Sequence, residues 1–330
     1  MTVPHTSRAR ALVVCRDGDA IPPELHGAVI AIGNFDGLHR GHQSLIATAV
    51  EAAHRESRPA AILTFDPHPR AFFAPQASHF RLTPEPVKLK ILAQLGVDVA
   101  FIRRFDATLA GTSARDFVHD LLHRQLGASA LVIGGDFHFG RGREGTPAVL
   151  VELAGEEGIG VTTVGTVKDD GSAVSSSRIR AALEVGDIAT ANELLGYRWF
   201  VEGEVRHGDK RGRVLGYPTA NLRLDEGCHL AHGIYAVRVA VAPGEVRDGV
   251  ASFGRRPTFD NGAPLLETFI FDFSGDLYGR SLDIEFIGRI RPEERFESAN
   301  ALVEQMKRDE ARAREMLAAS RVSELRSFIG

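Results

Sequence analysis

The chain is expected to fold as an α/β doubly wound parallel sheet followed by a small antiparallel β-barrel domain with a C-terminal helix. Three observations predict this. In the first half, short apolar runs alternate with helical patterns, which is how a parallel sheet covered on both faces reads. In the second half, apolar and polar residues alternate with period two between turns rich in Gly, Pro and Asp. From Glu297 to Leu317 the pattern is helical again, with Ala301, Leu302, Met306 and Met316 available to pack.

The first strand ends the apolar run Ala28–Ile32, and a helix follows from about His42 to Arg55. Ala60–Phe65 reads as a buried strand. Thr83 caps a helix with Pro84 in its first turn, running to about Leu95. Val97–Arg104 is the next strand, and Ser113 with Asp116 resembles a capping box for a helix reaching Leu126. Ala130–Ile133, a helix over Pro147–Glu156, a strand from Gly160 to Val167 and a helix starting among Ser175–Ser177 complete the series. This gives a first domain over residues 1–186 and a helical linker over 187–198. The barrel domain spans 199–330, with strands at Phe200–Val205, Gly233–Val241, Leu265–Phe273 and Leu282–Ile287.

The 330 residues suffice for two domains with ordinary cores. Net charge is −4, and no long basic block occurs, which argues against nucleic acid or an anionic membrane surface as partner. Cys15 and Cys228 lie in different domains, so a disulfide is not expected. No secretory leader or run of about 18 apolar residues is present, and a cytoplasmic protein is expected.

Chemistry concentrates after the strands, where a doubly wound sheet binds ligands. GNFDGLHRGH, Gly33 to His42, turns a strand into a helix whose unpaired N–H groups and positive dipole end favour phosphate. His39 and His42 would face that phosphate as donors; a metal site would need a further ligand that the neighbourhood lacks. His68 lies between Pro67 and Pro69, in a rigid turn or a site. Asp136 and Phe137 lie in a Gly-rich loop that suits either a purine or a tight turn. Ser176, Ser177 and Arg178 open a helix, where cations are unfavourable unless an anion, such as a triphosphate, offsets them. His119 and His123, four apart on a helix, read as an exposed face.

In the second half Gly208, Gly212 and Gly216 with Lys210, Arg211 and Arg213 make either a phosphate-covering loop or a solvated basic hairpin. Thr219 and Asn221, two apart on an extended segment, point to one side and could hold a magnesium ion that keeps waters and phosphate oxygens. Glu267 is either an outward-facing strand residue or a partly desolvated base.

The His39–His42 pair resembles the HxGH signature of nucleotidyltransferases, with its Rossmann-like fold. In order, GNFDGLHRGH, TFDPHP, GGDFHFGRGREG and VSSSRIR resemble the adenylyltransferase half of bacterial bifunctional riboflavin kinase/FAD synthetases. GYPTANL, GIYAV, RRPTF, LLETFIFDF and GDLYGR resemble the riboflavin kinase half. The resemblance implies phosphorylation of riboflavin by ATP to FMN, then adenylylation of FMN by a second ATP to FAD and pyrophosphate. It implies that Glu267 is the kinase base and that Thr219 and Asn221 bind Mg2+, with Gly208 and Gly212 near the phosphates. His39 and His42 would be catalytic in adenylyl transfer, with Gly33, Phe35, Asp36, Gly37, Ser176, Ser177 and Arg178 on ATP. His68, Asp136, Phe137 and Arg256 would line flavin or nucleotide loops. Ser252 and Phe269 stand where this family commonly has Asn and His. Rival readings are a flavin-binding storage or regulatory protein without turnover, and an adenylyltransferase with an inactive barrel.

Overall fold

The computed structural model describes residues 11–76, 80–208, 216–255, 264–320 and 325–329. The chain divides into two compact units, one of Met1–His79 with Lys88–Val174 and the other of Phe80–Val87 with Ser175–Gly330.

The first unit holds a six-stranded sheet. Its strands are β1 (Val13–Cys15), β2 (Val29–Ile32), β3 (Ala60–Asp66), β4 (Val99–Arg104), β5 (Ala130–Gly134) and β6 (Gly160–Val164). They lie in the order β1-β4-β3-β2-β5-β6, every pair parallel. All four residues of β2 are buried, which is why it reads as an unbroken apolar run rather than an alternation. Helices α1 (Arg40–Arg55), α2 (Pro69–Phe73), α3 (Glu85–Gln94), α4 (Ala107–Gly111), α5 (Ala114–Asp116) and α6 (Pro147–Glu156) connect them. Strand order reverses at β2, whose neighbours are β3 on one side and β5 on the other. The crevice beyond the carboxyl ends of β2 and β5 is therefore the expected ligand position.

Two features of this unit escaped the sequence. β1 is only three residues long and carries little periodic signal. The helix after Ser113 begins as expected, with Ser113 Oγ accepting from Asp116 N at 3.1 Å, but continues as a π-helix over Phe117–Gln125. His119 and His123 lie on it. Glu157 accounts for both, at 2.7 Å from His119 Nδ1 and 3.6 Å from His123 Nε2.

A further correction concerns the serine run. It does not follow a strand of the parallel sheet: the strand expected to reach Val167 ends at Val164, and a separate antiparallel ribbon, β7 (Lys168–Asp169) with β8 (Ser172–Ala173), intervenes. The Asp170-Gly171 turn of that ribbon, with φ of 48° and 76°, uses residue types that tolerate the left-handed region.

The second unit is a closed barrel in the order β10-β13-β12-β11-β14-β9. The strands are β9 (Phe200–Arg206), β10 (Thr219–Arg223), β11 (Gly233–Ala242), β12 (Glu245–Arg255), β13 (Pro264–Ile270) and β14 (Ser281–Arg291). β10 and β12 were not read from periodicity. β10 is short, and β12 has Gly249, Gly254 and charged residues interrupting its apolar face. Helices α7 (Ser176–Val185) and α8 (Ile188–Leu195) group with the barrel in space. Asn192 of α8 explains part of this: its buried amide accepts from Trp199 N at 2.8 Å and donates to Phe286 O at 3.1 Å.

The C-terminal helix α9 (Ala299–Ser320) buries Asp309, Ala313 and Leu317. That stripe has four-residue spacing; Ala301, expected to pack, is exposed because the helix contacts the barrel through its later turns. Asp309 is 4% exposed and takes a two-pronged bond from Arg291, with Nε–Oδ1 at 2.9 Å and Nη2–Oδ2 at 2.7 Å. Removing one partner of such a pair leaves a buried charge uncompensated. Asp309→Ala should therefore lower the unfolding free energy by about 3–5 kcal/mol in denaturant titration.

Candidate active sites

The loop between β2 and α1 is held in a backbone shape that few sequences tolerate. Phe35, Gly37 and Leu38 have φ of 49°, 83° and 40°. Left-handed conformations at non-glycine residues cost on the order of 1–3 kcal/mol each. Complete burial of Phe35 and Leu38 offsets that cost, and Gln43 Nε2 fastens Leu38 O at 2.8 Å. The Asn34 carbonyl accepts from Thr64 Oγ1 at 3.1 Å and from Lys88 Nζ at 3.0 Å. Asp36 is buried beside it, at 4% exposure.

His39 caps α1, its Nδ1 accepting from His42 N at 3.4 Å. That bond leaves Nδ1 as acceptor and puts the proton on Nε2. The His39 and His42 rings stack with centroids 3.7 Å apart and planes 16° apart, and the Phe35 ring meets His42 edge-on at 5.3 Å. Gly41 permits this, since a Cβ there would sit 3.1 Å from the His39 ring. Burial pushes the His39 pKa down to about 4, with the Asp36 carboxylate acting in the opposite sense. His42 is held well below its ordinary value by burial, then by His39 and Lys88. Both imidazoles are thus neutral at pH 7. They present hydrogen bonds rather than the charge that two free histidines would carry under mild acid. His42 Nδ1 is buried with no hydrogen-bond partner among the described residues.

The depressed His39 pKa has a consequence for stability. The unfolded chain takes up a proton near pH 6.5, whereas folded His39 resists until about 4. Its contribution is complete above pH 6.5 and is lost as the pH falls towards 4, amounting to about 3 kcal/mol. Denaturant midpoints of His39→Gln should accordingly fall less steeply than those of the unmodified protein over this interval.

Around the loop, Asp136 is exposed after β5 and acts electrostatically on His39. Phe137 stacks on Phe139 with centroids 5.5 Å apart and packs partly against the core, so structure alone explains much of it. His68 caps α2, its Nδ1 accepting from Arg70 N at 3.1 Å. Gly33 continues directly from β2, where a Cβ would press on the Phe35 ring at 3.2 Å. Sequence reasoning missed an aromatic group at the carboxyl ends of β3 and β4. Phe72 and Phe73 of α2 meet Phe105 edge-on at 5.4 and 5.7 Å, and Phe65 joins at 6.0 Å. Phe73 remains 69% exposed, and the adjacent Phe72-Phe73 pair in a polar stretch was the available signal.

In the other unit, Ser175 caps α7, its Oγ accepting from Arg178 N at 3.4 Å, and Ser176 and Ser177 form the first turn. Arg180, in the same helix, donates from Nε to Phe80 O at 2.6 Å, which gives it a structural role.

The barrel assembles a second polar row. Arg206, Asn221, Glu267 and Ser252 lie directly opposite one another on β9, β10, β13 and β12, so their side chains leave one face of the sheet. Asn221 is 8% exposed and Glu267 is half-buried. Asn221 Nδ2 donates to Thr219 O at 3.2 Å. The backbone of Gly208 closes over this amide; a Cβ there would sit 2.6 Å from Asn221 Nδ2. Phe269, two residues along β13 on the same side, meets Tyr217 edge-on at 4.8 Å and packs against the buried face of α9. An apolar ring suits that position, since this is the face the helix covers. Gly212 and Arg256 lie outside the described residues, as do Lys210, Arg211 and Arg213.

Thr219 and Asn221 offer neutral oxygens beside the Glu267 carboxylate, a hard-donor set suited to magnesium. Among the described residues no group of three His, Cys, Asp or Glu side chains converges on a metal position. A metal here would therefore keep most of its ligands from phosphate and water.

Comparison with known proteins follows the same division. A family model described as FAD synthetase matches residues 21–178, and one described as riboflavin kinase matches residues 195–317. A bifunctional riboflavin kinase/FMN adenylyltransferase of Escherichia coli (strain K12) is 39% identical over 289 residues, 88% of this chain and 92% of that protein. Its counterpart in Bacillus subtilis (strain 168) is 37% identical over 299 residues, 89% and 93% of the two chains. A solved structure from Streptococcus pneumoniae, described as a macrolide-efflux protein, is 32% identical with a TM-score of 0.81, covering 92% of this chain and 99% of that one. In the present chain no described helix is long and apolar enough to cross a membrane.

Proposed function

Since the chain belongs to the bifunctional riboflavin kinase/FMN adenylyltransferase family and matches the models of both activities, we propose how its own residues divide the two reactions. The protein phosphorylates riboflavin with ATP to FMN and adenylylates FMN with a second ATP to FAD and pyrophosphate.

Riboflavin phosphorylation belongs to the barrel. Glu267 accepts the proton of the 5′-hydroxyl, whose oxygen attacks the γ-phosphorus of ATP as ADP leaves. Positioning and charge stabilisation carry most of such a phosphoryl transfer. Thr219 and Asn221 would hold Mg2+, which supplies charge neutralisation and orientation at the phosphates. Gly208 lets backbone approach that ion's side-chain ligand, and Gly212 and Arg256 keep their assignments by resemblance. The Asn221–Glu267 register carries this reading. Chelation of magnesium should abolish FMN formation, and added Mg2+ should restore it; FMN formation unchanged in chelator would remove Thr219 and Asn221 from this role.

Adenylyl transfer belongs to the parallel sheet. An oxygen of the FMN phosphate attacks the α-phosphorus of ATP and the bond to the β-phosphate breaks. The phosphate is already ionised, so no general base is needed. His39 and His42 stabilise the charge that develops, within the loop of Gly33, Phe35, Asp36 and Gly37. The stacked His39–His42 pair at the start of α1, beyond the carboxyl end of β2 where the strand order reverses, is the observation that carries this assignment. By resemblance Ser176, Ser177 and Arg178 bind the leaving pyrophosphate, and His68, Asp136 and Phe137 line the nucleotide or flavin side. The exposed Phe73 ring, backed by Phe72 and Phe105, is a flat apolar platform for an isoalloxazine. Stacking of this kind is worth about 1 kcal/mol beyond area burial, so Phe73→Ala should raise KM for FMN roughly tenfold.

The functional division we adopt is 1–186 for adenylyl transfer, 187–198 as helical linker and 199–330 for the kinase. Two buried cysteines outside any disulfide, Cys15 and Cys228, and dependence on ATP support work in the cytoplasm. Incubation with riboflavin and ATP should yield FMN and then FAD; binding without ATP consumption would instead indicate a storage protein.

A further inference from the structure

The two histidines of the β2–α1 loop are neutral, yet the reaction assigned to them crowds negative charge. FMN and ATP bring six negative charges between dianionic FMN and tetra-anionic ATP, and FAD with pyrophosphate carry the same total away, so no proton needs to move. Neutral donors can direct hydrogen bonds at the α-phosphorus oxygens but cannot offset that field. A fixed cation beside them would offset it at the α-phosphorus itself.

Lys88, on α3, is held at this loop. Its Nζ donates to Asn34 O at 3.0 Å, one residue before the left-handed Phe35, and its charge is felt at His42. It is half-buried, on the helix that precedes β4. Nothing in the sequence motifs singled it out, because a lysine on a helix ordinarily reads as a solvated face. We propose that Lys88 is a further substrate-binding residue of the adenylyl-transfer site, its ammonium holding the α-phosphate of ATP beside His42 at the start of α1. The inference rests on the assignment of His39 and His42 to that reaction.

The rival role is structural: Lys88 could serve only to hold the Asn34 carbonyl, which Thr64 Oγ1 also holds at 3.1 Å. The test compares Lys88→Ala, Lys88→Arg and Thr64→Val in FAD formation from supplied FMN and MgATP, with riboflavin phosphorylation by the same samples as the folding control. Lys88→Ala should lower kcat/KM by about 10²–10³-fold while phosphorylation of riboflavin continues. Lys88→Arg should recover about tenfold of that loss, propylammonium should partly rescue Lys88→Ala, and Thr64→Val should cost only a few-fold. A Lys88→Ala enzyme within about threefold of the unmodified rate would overturn the proposal. So would a Thr64→Val enzyme as slow as Lys88→Ala, which would make the lysine a carbonyl clamp. If His39→Ala left FAD formation intact, the site assignment itself would fall, whatever the lysine does.

Discussion

Replacing His39 with alanine is expected to stop FAD formation while FMN accumulates from riboflavin. Three contributions are lost together. His39 Nδ1 caps α1 at His42 N, its Nε2–H is the donor aimed away from that bond, and its ring supports His42 by stacking at 3.7 Å. Loss of one oriented donor at a developing oxyanion typically costs about 10²–10³ in kcat, and the disturbed neighbour adds to it. The cap itself is worth about 1 kcal/mol, too little to unfold the unit. FMN formation should stay near the unmodified rate, because the kinase row lies in the other compact unit. Chromatography of the reaction products against time checks both halves of this expectation.

Glu267→Gln is the complementary case. The amide keeps the size and one acceptor oxygen of the carboxylate but cannot take the hydroxyl proton, and general-base losses run to about 10²–10⁴-fold. The strand should be undisturbed: Glu267 sits between Asn221 and Ser252 on a half-buried face, and the buried side of β13 is made by Leu266, Thr268 and Ile270. Riboflavin should therefore persist, while supplied FMN is still converted to FAD. Unchanged FMN formation would mean that another group takes the proton.

Much of this arrangement was legible before any coordinates. The unbroken run of β2, the cap at Ser113 and the period-two strands of the barrel are local signals written by burial and backbone bonding. Registry is not local. The face that Glu267 shares with Asn221 and Ser252 follows from three strands pairing in one particular alignment, which alternation along a single strand leaves undecided. Lys88 and Phe73 were missed for the same reason, since each reaches its loop from a helix with no motif of its own. The serine run was placed after the wrong strand because a ribbon of two-residue strands is too short to show a period. Neutrality of the histidines was equally hidden, because it depends on burial that only the folded loop creates.

The central claim is that one chain carries two separate reaction centres, with His39 serving one and Glu267 the other. Mixing the His39→Ala and Glu267→Gln proteins with riboflavin, ATP and Mg2+ tests it most directly. Neither variant alone should make FAD from riboflavin, and the mixture should do so after a lag in which FMN rises and then falls. A mixture that makes no FAD, although Glu267→Gln still adenylylates supplied FMN and His39→Ala still makes FMN, would contradict the account.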